Sequence, residues 1–404
     1  MTYRRTSLLW LAAAALTGVL ITSLGCGGGS SSKSNSIAMS GQNVAQISVN
    51  GGPNGNYANG AFVSVTLCVP STSTCQSIPN VLVDTGSSGL RILSSVLTVS
   101  LPRQTGSSGP VVECLPFISG YTWGPVQTAD VQIGGEKASA VPIQAINETA
   151  FPVPTACSNQ GPAMDSVQTL GTNGILGIGL AGPDCFACSP NSGLGNPNLY
   201  YGCPTSGCQP ITQALTSQVQ NPVALFPTDN NGVIVELPAL ANPAPSLTGS
   251  LVFGIGTQSN NALHGATMYT VDQFGNFTTS FNGKSYQGSF IDSGSNGYFF
   301  LNSTVTGIPD CGGSSNSFYC PTSTDNLTAT NQGANGASGT VNFSVGNADS
   351  LFNSNNFVFP NLGGPAGTSA DYFDWGLPFF FGRNVYVAID GQSTPGGNGP
   401  YWAY

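Results

Sequence analysis

The chain has 404 residues, of which 17 are acidic, 8 are basic and one is a histidine, His264. Charged residues make up 6% of the sequence, whereas an ordinary soluble domain carries about 25%. So few cations exclude a nucleic-acid-binding surface, and a single histidine excludes a zinc site that needs two or three. Because 54 residues are glycine, 28 are proline and 40% are hydrophobic, we expect a loop-rich, mostly β protein with a packed core and two domains or large lobes.

The N-terminus has the pattern of an export signal. A short basic start precedes an apolar run over residues 8–21, which is too short for a comfortable transmembrane helix. Cys26 precedes a Gly/Ser-rich stretch, an arrangement that resembles a bacterial lipoprotein cleavage box followed by a flexible tether. We therefore predict a signal peptide over residues 1–25, a lipid on Cys26 and a tether over residues 26–40. The alternative is simple secretion without a lipid.

These features predict a protein of the bacterial cell envelope, at the outer membrane, or a secreted protein if it is not lipidated. The lipid anchor is the expected contact with the membrane.

Cysteine usage agrees with export, because ten cysteines remain beyond Cys26 and an even number in an exported chain favours disulfides. Short separations in the sequence suggest four local bridges and leave one long one. The expected pairs are Cys68 with Cys75, Cys311 with Cys320, Cys114 with Cys157, and two bridges among Cys185, Cys188, Cys203 and Cys208. The alternative for the last four is a zinc site with four thiolate ligands.

Taken in chain order, the segments alternate between apolar and polar residues in short runs such as 61–67 and 131–133, separated by Gly, Asn, Pro and Ser clusters. This is the pattern of strands and turns. The best helix candidate, residues 210–220, is short. Residues 311–349 are rich in Gly, Asn and Ser and are predicted to form an inserted loop. The expected fold class is therefore all-β.

An internal repeat is the most informative feature of the sequence. An apolar strand runs into Asp84-Thr85-Gly86-Ser87, and a second apolar strand runs into Asp292-Ser293-Gly294-Ser295. Each copy is followed by a Gly-rich apolar element, at residues 174–179 and 375–378. The repeat predicts two pseudo-symmetric lobes, over residues 41–240 with a Cys-rich insertion and over residues 241–404.

The chemistry of the repeat follows from its residue types. The apolar strand carries each aspartate inward, the glycine permits a tight turn, and the hydroxyls can hydrogen-bond the carboxylate. Two such turns meeting between lobes would place Asp84 and Asp292 side by side. Because like charges that close cannot both ionise, the pair would share one proton and titrate as a unit. One carboxylate could then activate a water while its protonated partner polarises a carbonyl.

With these motifs the sequence resembles the pepsin-like aspartic peptidases over residues 44–390. The resemblance implies a bilobed all-β fold and an aspartic endopeptidase that acts as a monomer on polypeptide substrates, without a cofactor or metal. It implies Asp84 and Asp292 as the catalytic dyad. The residues that it implies as support for the dyad are Thr85, Gly86, Ser87, Ser293, Gly294 and Ser295.

The sequence departs from the family at Arg91, where the family usually has Trp, and at Pro378, where it usually has Gly. The hairpin that would close over substrate, residues 117–131, places Phe117 near the position of the usual Tyr. We expect Tyr121 or Trp123 to cover the dyad instead. These departures leave open a second function, a catalytically silent module that binds a peptide, a glycan or a partner protein.

Overall fold

The structure, a computed structural model, describes residues 35–367 and 371–404. The predicted signal peptide and Cys26 lie outside the described residues. Within the described part, no helix has the length and apolar character needed to cross a membrane. The last residues of the predicted tether are hydrogen-bonded to the protein body. Asn35 Nδ2 donates to the Leu237 carbonyl at 2.9 Å, and the Ala38 N–H donates to Glu236 Oε2 at 2.6 Å.

The described chain is built mainly from strands. Up to residue 253 they are β1 (Val44–Asn50), β2 (Gly60–Cys68), β3 (Cys75–Asp84), β4 (Ser88–Leu93), β5 (Thr105–Gly106), β6 (Gly109–Phe117), β7 (Gly120–Ile133), β8 (Glu136–Ile146), β9 (Gly174–Ile178), β10 (Tyr200–Gly202), β11 (Gln209–Ile211), β12 (Gly232–Leu237) and β13 (Leu247–Phe253).

The later strands are β14 (Met268–Thr270), β15 (Phe277–Phe281), β16 (Lys284–Ile291), β17 (Tyr298–Phe300), β18 (Asp325–Gln332), β19 (Ser338–Val345), β20 (Gly363–Gly364), β21 (Phe373–Trp375), β22 (Arg383–Ala388), β23 (Ser393–Thr394), β24 (Gly397–Asn398) and β25 (Tyr401–Ala403).

Helices in the described residues are short. The α-helices are α1 (Thr155–Ser158), α2 (Val167–Leu170), α3 (Ser303–Thr306) and α4 (Ala348–Phe352). The 3-10 helices are Ser94–Val96, Phe186–Cys188, Leu215–Ser217, Pro222–Leu225, Gly313–Ser315 and Leu377–Phe380.

The same three-strand arrangement occurs twice. β9 lies between β3 and β4, parallel to β3 and antiparallel to β4. In the same way, β21 lies between β16 and β17, parallel to β16 and antiparallel to β17. All five residues of β9, Gly-Ile-Leu-Gly-Ile, are buried, as expected for a strand enclosed within a sheet. Asp84 ends β3, and Asp292 follows β16 directly, so the repeat places both aspartates at equivalent strand ends.

Strands contribute to the core through residues that alternate between buried and outward-facing positions. On β1, Ala45, Ile47 and Val49 are buried while the residues between them face outward, the period of two expected for a half-buried strand. β1 also pairs antiparallel with β13. Around β21 the core is aromatic, because Phe373 stacks on Phe300 and on Trp375 with ring centroids 5.0 and 5.3 Å apart. Rings at such separations add to the stability that burial of their area provides.

The five disulfides follow the pairing that short sequence separations suggest. They are Cys68–Cys75, Cys114–Cys157, Cys185–Cys188, Cys203–Cys208 and Cys311–Cys320. Because the four cysteines of the 185–208 region are bonded in pairs, they have no thiolates for zinc, and the zinc alternative is wrong. Disulfides are typical of oxidising compartments, so this set is consistent with an exported protein.

Two expectations from the sequence need correction. The predicted inserted loop at residues 311–349 contains a regular hairpin, in which β18 pairs with β19 over eight residue pairs from Asp325↔Val345 to Gln332↔Ser338. Its Gly/Asn/Ser-rich composition reflects the exposed outer positions of these strands and their turn. The helix candidate at residues 210–220 forms only the end of β11 and the 3-10 helix Leu215–Ser217.

Candidate active site

The two Asp-containing loops hold each other through a reciprocal set of hydrogen bonds. The Thr85 N–H donates to Ser293 Oγ at 3.1 Å, and the Ser293 N–H donates to Thr85 Oγ1 at 2.9 Å. Each hydroxyl then donates across to the opposite strand. Thr85 Oγ1 reaches the Ile291 carbonyl at 3.1 Å, and Ser293 Oγ reaches the Val83 carbonyl at 2.7 Å. All four bonds are buried, so they fix the relative position of the loops.

Each aspartate is oriented by its own loop. Asp84 Oδ1 accepts the Gly86 N–H at 2.9 Å, and Asp84 Oδ2 accepts the Ser87 hydroxyl. Asp292 Oδ1 accepts the Gly294 N–H at 2.7 Å. Each carboxyl therefore has a hydrogen-bond partner on both oxygens, since Asp292 Oδ2 also lies 2.9 Å from Ser295 Oγ, and a hydrogen bond joins the two carboxyls.

Glycine is required in both loops because each one faces the opposite carboxyl. A Cβ added to Gly86 would lie 2.6 Å from Asp292 Cγ, and a Cβ added to Gly294 would lie 2.7 Å from Asp84 Oδ1. Both distances are shorter than any normal van der Waals contact. The two glycines of the sequence repeat therefore allow the carboxyls to approach each other.

Burial and mutual repulsion control the protonation of this pair. Asp84 is 7% exposed. Burial, followed by the negative charge of Asp292, raises the pKa of Asp84 to about 8, although the Ser87 and Gly86 hydrogen bonds act in the opposite direction. A carboxyl with this pKa keeps its proton at neutral pH, so the two neighbouring acids need not repel each other as two negative charges.

The dyad lies in an open cleft with a volume of about 1160 Å³. Side chains from both halves of the chain line it. They include Asp84, Asp292, Phe117, Ile118, Leu180 and Phe274. Phe117 ends β6 and Ile118 lies in the turn between β6 and β7. The hairpin expected to close over substrate therefore reaches the cleft. Ile118 and Phe274 are 83% and 77% exposed, and both are therefore available to contact an extended ligand.

The expectation that Tyr121 or Trp123 covers the dyad is wrong. Both are buried in a separate cluster with Tyr201 and the Cys114–Cys157 bridge, and neither lines the cleft. Trp123 packs edge-on against Tyr201 with ring centroids 5.2 Å apart, and its Nε1–H donates to the Phe151 carbonyl. The Cys114–Cys157 bridge and the Trp123 hydrogen bond hold the rings of Tyr121 and Trp123 in this cluster, away from the cleft.

Tyr57 is the aromatic residue near the dyad that the sequence did not indicate. It lies in the β1–β2 loop, lines the cleft and packs edge-on against Phe62 at 5.6 Å. Burial, together with the charges of Asp84 and Asp292, raises the pKa of its phenol. The residues around it, Gly55-Asn56 and Ala58-Asn59, form no motif, so a single sequence carries no signal for this position.

Arg91, which stands where the pepsin-like peptidases that the sequence resembles usually have Trp, is fully buried in a network of ionisable groups. Its Nη2 contacts Glu113 Oε1 at 2.8 Å and Asp184 Oδ2 at 2.6 Å. The Tyr200 hydroxyl donates to Asp184 Oδ1 at 2.6 Å. Because Arg91 lies on β4 and Glu113 on β6, this network connects the strand after the first Asp loop to the hairpin that reaches the cleft.

One cation faces two acids in this network. Burial lowers the pKa of Arg91, but attraction to Glu113 and Asp184 more than offsets that effect, and the net shift is upward. Burial and the neighbouring Glu113 raise the pKa of Asp184 well above its usual range. The network can therefore be neutral, with Arg91 and one carboxyl charged and the other carboxyl protonated. An isolated buried charge would be far more costly.

The described residues offer little for a metal. Cys311, Cys320 and Asp349 are close enough to share an ion, but both sulfurs belong to a disulfide. Pro378 stands where the pepsin-like peptidases usually have Gly. It occupies the first turn of the 3-10 helix Leu377–Phe380, a position that suits proline.

The fold resembles that of a known proteinase. The aspartic proteinase from Irpex lacteus matches this structure with a TM-score of 0.54 and 16% sequence identity, over 89% of this chain and 96% of that chain. This likeness confirms the predicted all-β, bilobed, pepsin-like fold. A family model described as a protein of unknown function (DUF3443) matches residues 39–404. No curated protein matches the sequence.

The Arg91 network generates a prediction about stability. We expect Arg91→Leu to lower the free energy of unfolding by about 3–5 kcal/mol at neutral pH, because it leaves a buried carboxylate without a cation. The loss should shrink in acid, where protonation removes the uncompensated charge. Urea denaturation at several pH values measures both effects.

Arg103→Leu is the matched control, since its ion pair with Glu148 is partly exposed and such pairs contribute about 0–1 kcal/mol. Equal losses for the two variants, independent of pH, would contradict the account of the buried network.

Proposed function

We propose that this chain, which belongs to the DUF3443 family of proteins of unknown function, is an aspartic endopeptidase that hydrolyses peptide bonds with a water activated by Asp84 and Asp292. The observation that carries the proposal is the reciprocal Thr85–Ser293 hydrogen bonding, which fixes the buried Asp84 and the half-buried Asp292 in an open cleft. A folding requirement alone would not place two like-charged groups together in this way.

The geometry supports a mechanism without a covalent intermediate. Asp292, as the carboxylate, takes a proton from a water lying between the two acids, and the water oxygen attacks the carbonyl carbon of the scissile peptide. Asp84, which holds the shared proton, donates a hydrogen bond to the carbonyl oxygen and stabilises the charge that develops there. Asp292 then transfers the proton that it took from the water to the amide nitrogen, the C–N bond breaks, and the dyad returns to its one-proton state.

The cleft supports a polypeptide as the substrate class. It is open, and its exposed apolar side chains, Ile118 and Phe274, come from loops far apart in the sequence. An extended chain could contact both while its scissile bond lies at the dyad. Binding by several side chains along a cleft is the usual way in which binding energy positions a reacting bond.

We also propose that the protein is exported and anchored by a lipid on Cys26. The support is the leader pattern of the sequence and the five disulfides of the described residues. The expected partners are a polypeptide substrate and, through the anchor alone, the membrane, and the protein is expected to act as a monomer.

For the proposed anchor, we expect Cys26→Ser to abolish incorporation of a labelled fatty acid and to release the protein from the membrane fraction. Cells expressing the wild-type and the variant chain are fractionated and compared. Equal membrane association and no label on the wild-type chain would favour simple secretion.

For the proposed activity, Asp84→Asn and Asp292→Asn should each reduce cleavage of an unfolded protein substrate to background, because either change destroys the shared-proton pair. Cleavage is followed by mass spectrometry from about pH 3 to about pH 8, the range in which such a pair holds one proton. Asp349→Asn, which changes an exposed carboxyl, is the control and should keep wild-type activity. A wild-type protein that cleaves nothing but binds peptides in the cleft would instead be the catalytically silent module.

A second prediction needs no substrate. The folded-state pKa of Asp84 is about 8, whereas an unfolded aspartate titrates near about 3.9. The contribution of Asp84 to stability is therefore fully present below the unfolded pKa and is lost as the pH rises through the folded pKa. Asp84→Asn removes this dependence, so the variant should be more stable than wild type near pH 8 and lose its advantage near pH 4.

Thermal unfolding of both chains over this pH range measures the difference. A constant difference in stability across the range would show that Asp84 is ionised like an ordinary aspartate.

A further inference from the structure

A third carboxyl near the dyad, that of Asp374, is buried and takes no part in the proposed mechanism. It is the middle residue of β21, between Phe373 and Trp375, whose rings pack into the aromatic core. Because side chains alternate along a strand, Asp374 points away from that core. It is 3% exposed, and its Oδ2 lies 2.6 Å from Ser295 Oγ.

Ser295 connects Asp374 to the dyad. The same Oγ that contacts Asp374 also lies 2.9 Å from Asp292 Oδ2. A serine hydroxyl has one proton to donate and lone pairs to accept with. It can therefore donate to one carboxylate only, so the second contact is a hydrogen bond only if that carboxyl is itself protonated and donates to Oγ.

The surroundings indicate which carboxyl carries the proton. Asp292 Oδ1 accepts the Gly294 N–H, which favours its charged form. Asp374 Oδ1, in contrast, is buried without a hydrogen-bond partner. None of the ion pairs in the described residues includes Asp374. A carboxylate in this position would be an uncompensated buried charge.

We propose that Asp374 is a positioning residue that stays protonated, donates to Ser295 Oγ and thereby directs the Ser295 hydroxyl onto Asp292, so that Asp292 is the carboxylate of the dyad and Asp84 carries the shared proton. This inference rests on the proposed function only for its consequence in catalysis. The protonation state of Asp374 can be tested separately.

The charges that reach Asp374 act in the same direction. Burial first, then repulsion from Asp292 and from Asp84, raises the pKa of Asp374 well above its usual range, and these effects outweigh the lowering that a hydrogen bond donated by Ser295 would cause. The nearby phenol of Tyr372 has a raised pKa as well, owing to burial and to Asp374. Tyr57 lines the cleft, and burial, Asp84 and Asp292 raise the pKa of its phenol, so it adds no charge at neutral pH.

The first half of the chain has no counterpart to this carboxyl. β9 pairs with β3 so that Ile175 lies opposite Leu82, two residues before Asp84. β21 pairs with β16 so that Asp374 lies opposite Phe290, two residues before Asp292. Ile175 is therefore the residue equivalent to Asp374, and it has no proton to donate. This difference between the two pseudo-symmetric halves gives the two aspartates of the dyad different roles.

The direct test is infrared spectroscopy of the purified protein near pH 6. The Asp84→Asn variant serves as the background, because it removes the shared proton of the dyad. Adding Asp374→Asn should remove one protonated-carboxyl C=O band from the difference spectrum. Loss of carboxylate bands instead, with the protonated band unchanged, would mean that Asp374 is ionised and would overturn the proposal. This measurement does not depend on peptidase activity.

The kinetic test uses a matched pair in the wild-type background. Asp374→Asn retains an N–H donor for Ser295 and should keep kcat within about twofold, with the same pH profile. Asp374→Leu is similar in size but has no donor and should lower kcat about tenfold, the loss expected for one hydrogen bond to a charged group. A pH profile of Asp374→Asn displaced to lower pH would show that a negative charge had been removed, contrary to the proposal.

The two failures are distinguishable. If no substrate is cleaved but the infrared band is lost on Asp374→Asn, the proposed function fails and the proton assignment stands. If Asp374→Leu does not fold, the infrared spectra and the pH profile of Asp374→Asn still show whether Asp374 is protonated.

Discussion

Two neighbouring carboxyl groups, the buried Asp84 and the half-buried Asp292, repel each other when both are charged, and much of this structure holds them together. The reciprocal hydrogen bonds of Thr85 and Ser293 fix the two loops, and the absence of a Cβ on the loop glycines allows the close approach. The two three-strand arrangements deliver Asp84 and Asp292 at equivalent strand ends. Repulsion between the acids is thus offset by a rigid frame, and the raised pKa of Asp84 is the electrostatic consequence.

The features that could be predicted from the sequence are specified by short segments, and the most informative segment occurs in two copies. An apolar strand ending in Asp-Thr/Ser-Gly-Ser specifies its own turn, and its repetition predicts two halves and a pair of acids, so the fold class could be predicted from the sequence. The cysteine pairs could be predicted for a similar reason, since most of them are separated by fewer than ten residues.

The features that could not be predicted depend on contacts between distant segments. Arg91 and Asp184 are 93 residues apart, and nothing in either local sequence indicates that they meet. Tyr121 and Trp123 were expected over the dyad because aromatic residues were present in the right hairpin, but the face that they occupy is set by packing against Tyr201 and a disulfide. Positions whose role depends on tertiary packing carry no signal in a single sequence.

Direct titration of Asp84 tests the central claim, that Asp84 and Asp292 share one proton. Aspartate side-chain carboxyl carbons can be followed by ¹³C NMR from about pH 3 to about pH 9, with Asp84→Asn used to assign the resonance. We predict that the Asp84 carboxyl remains protonated through neutral pH and titrates at about 8. Titration of this carboxyl near pH 4, as in an isolated aspartate, would contradict it.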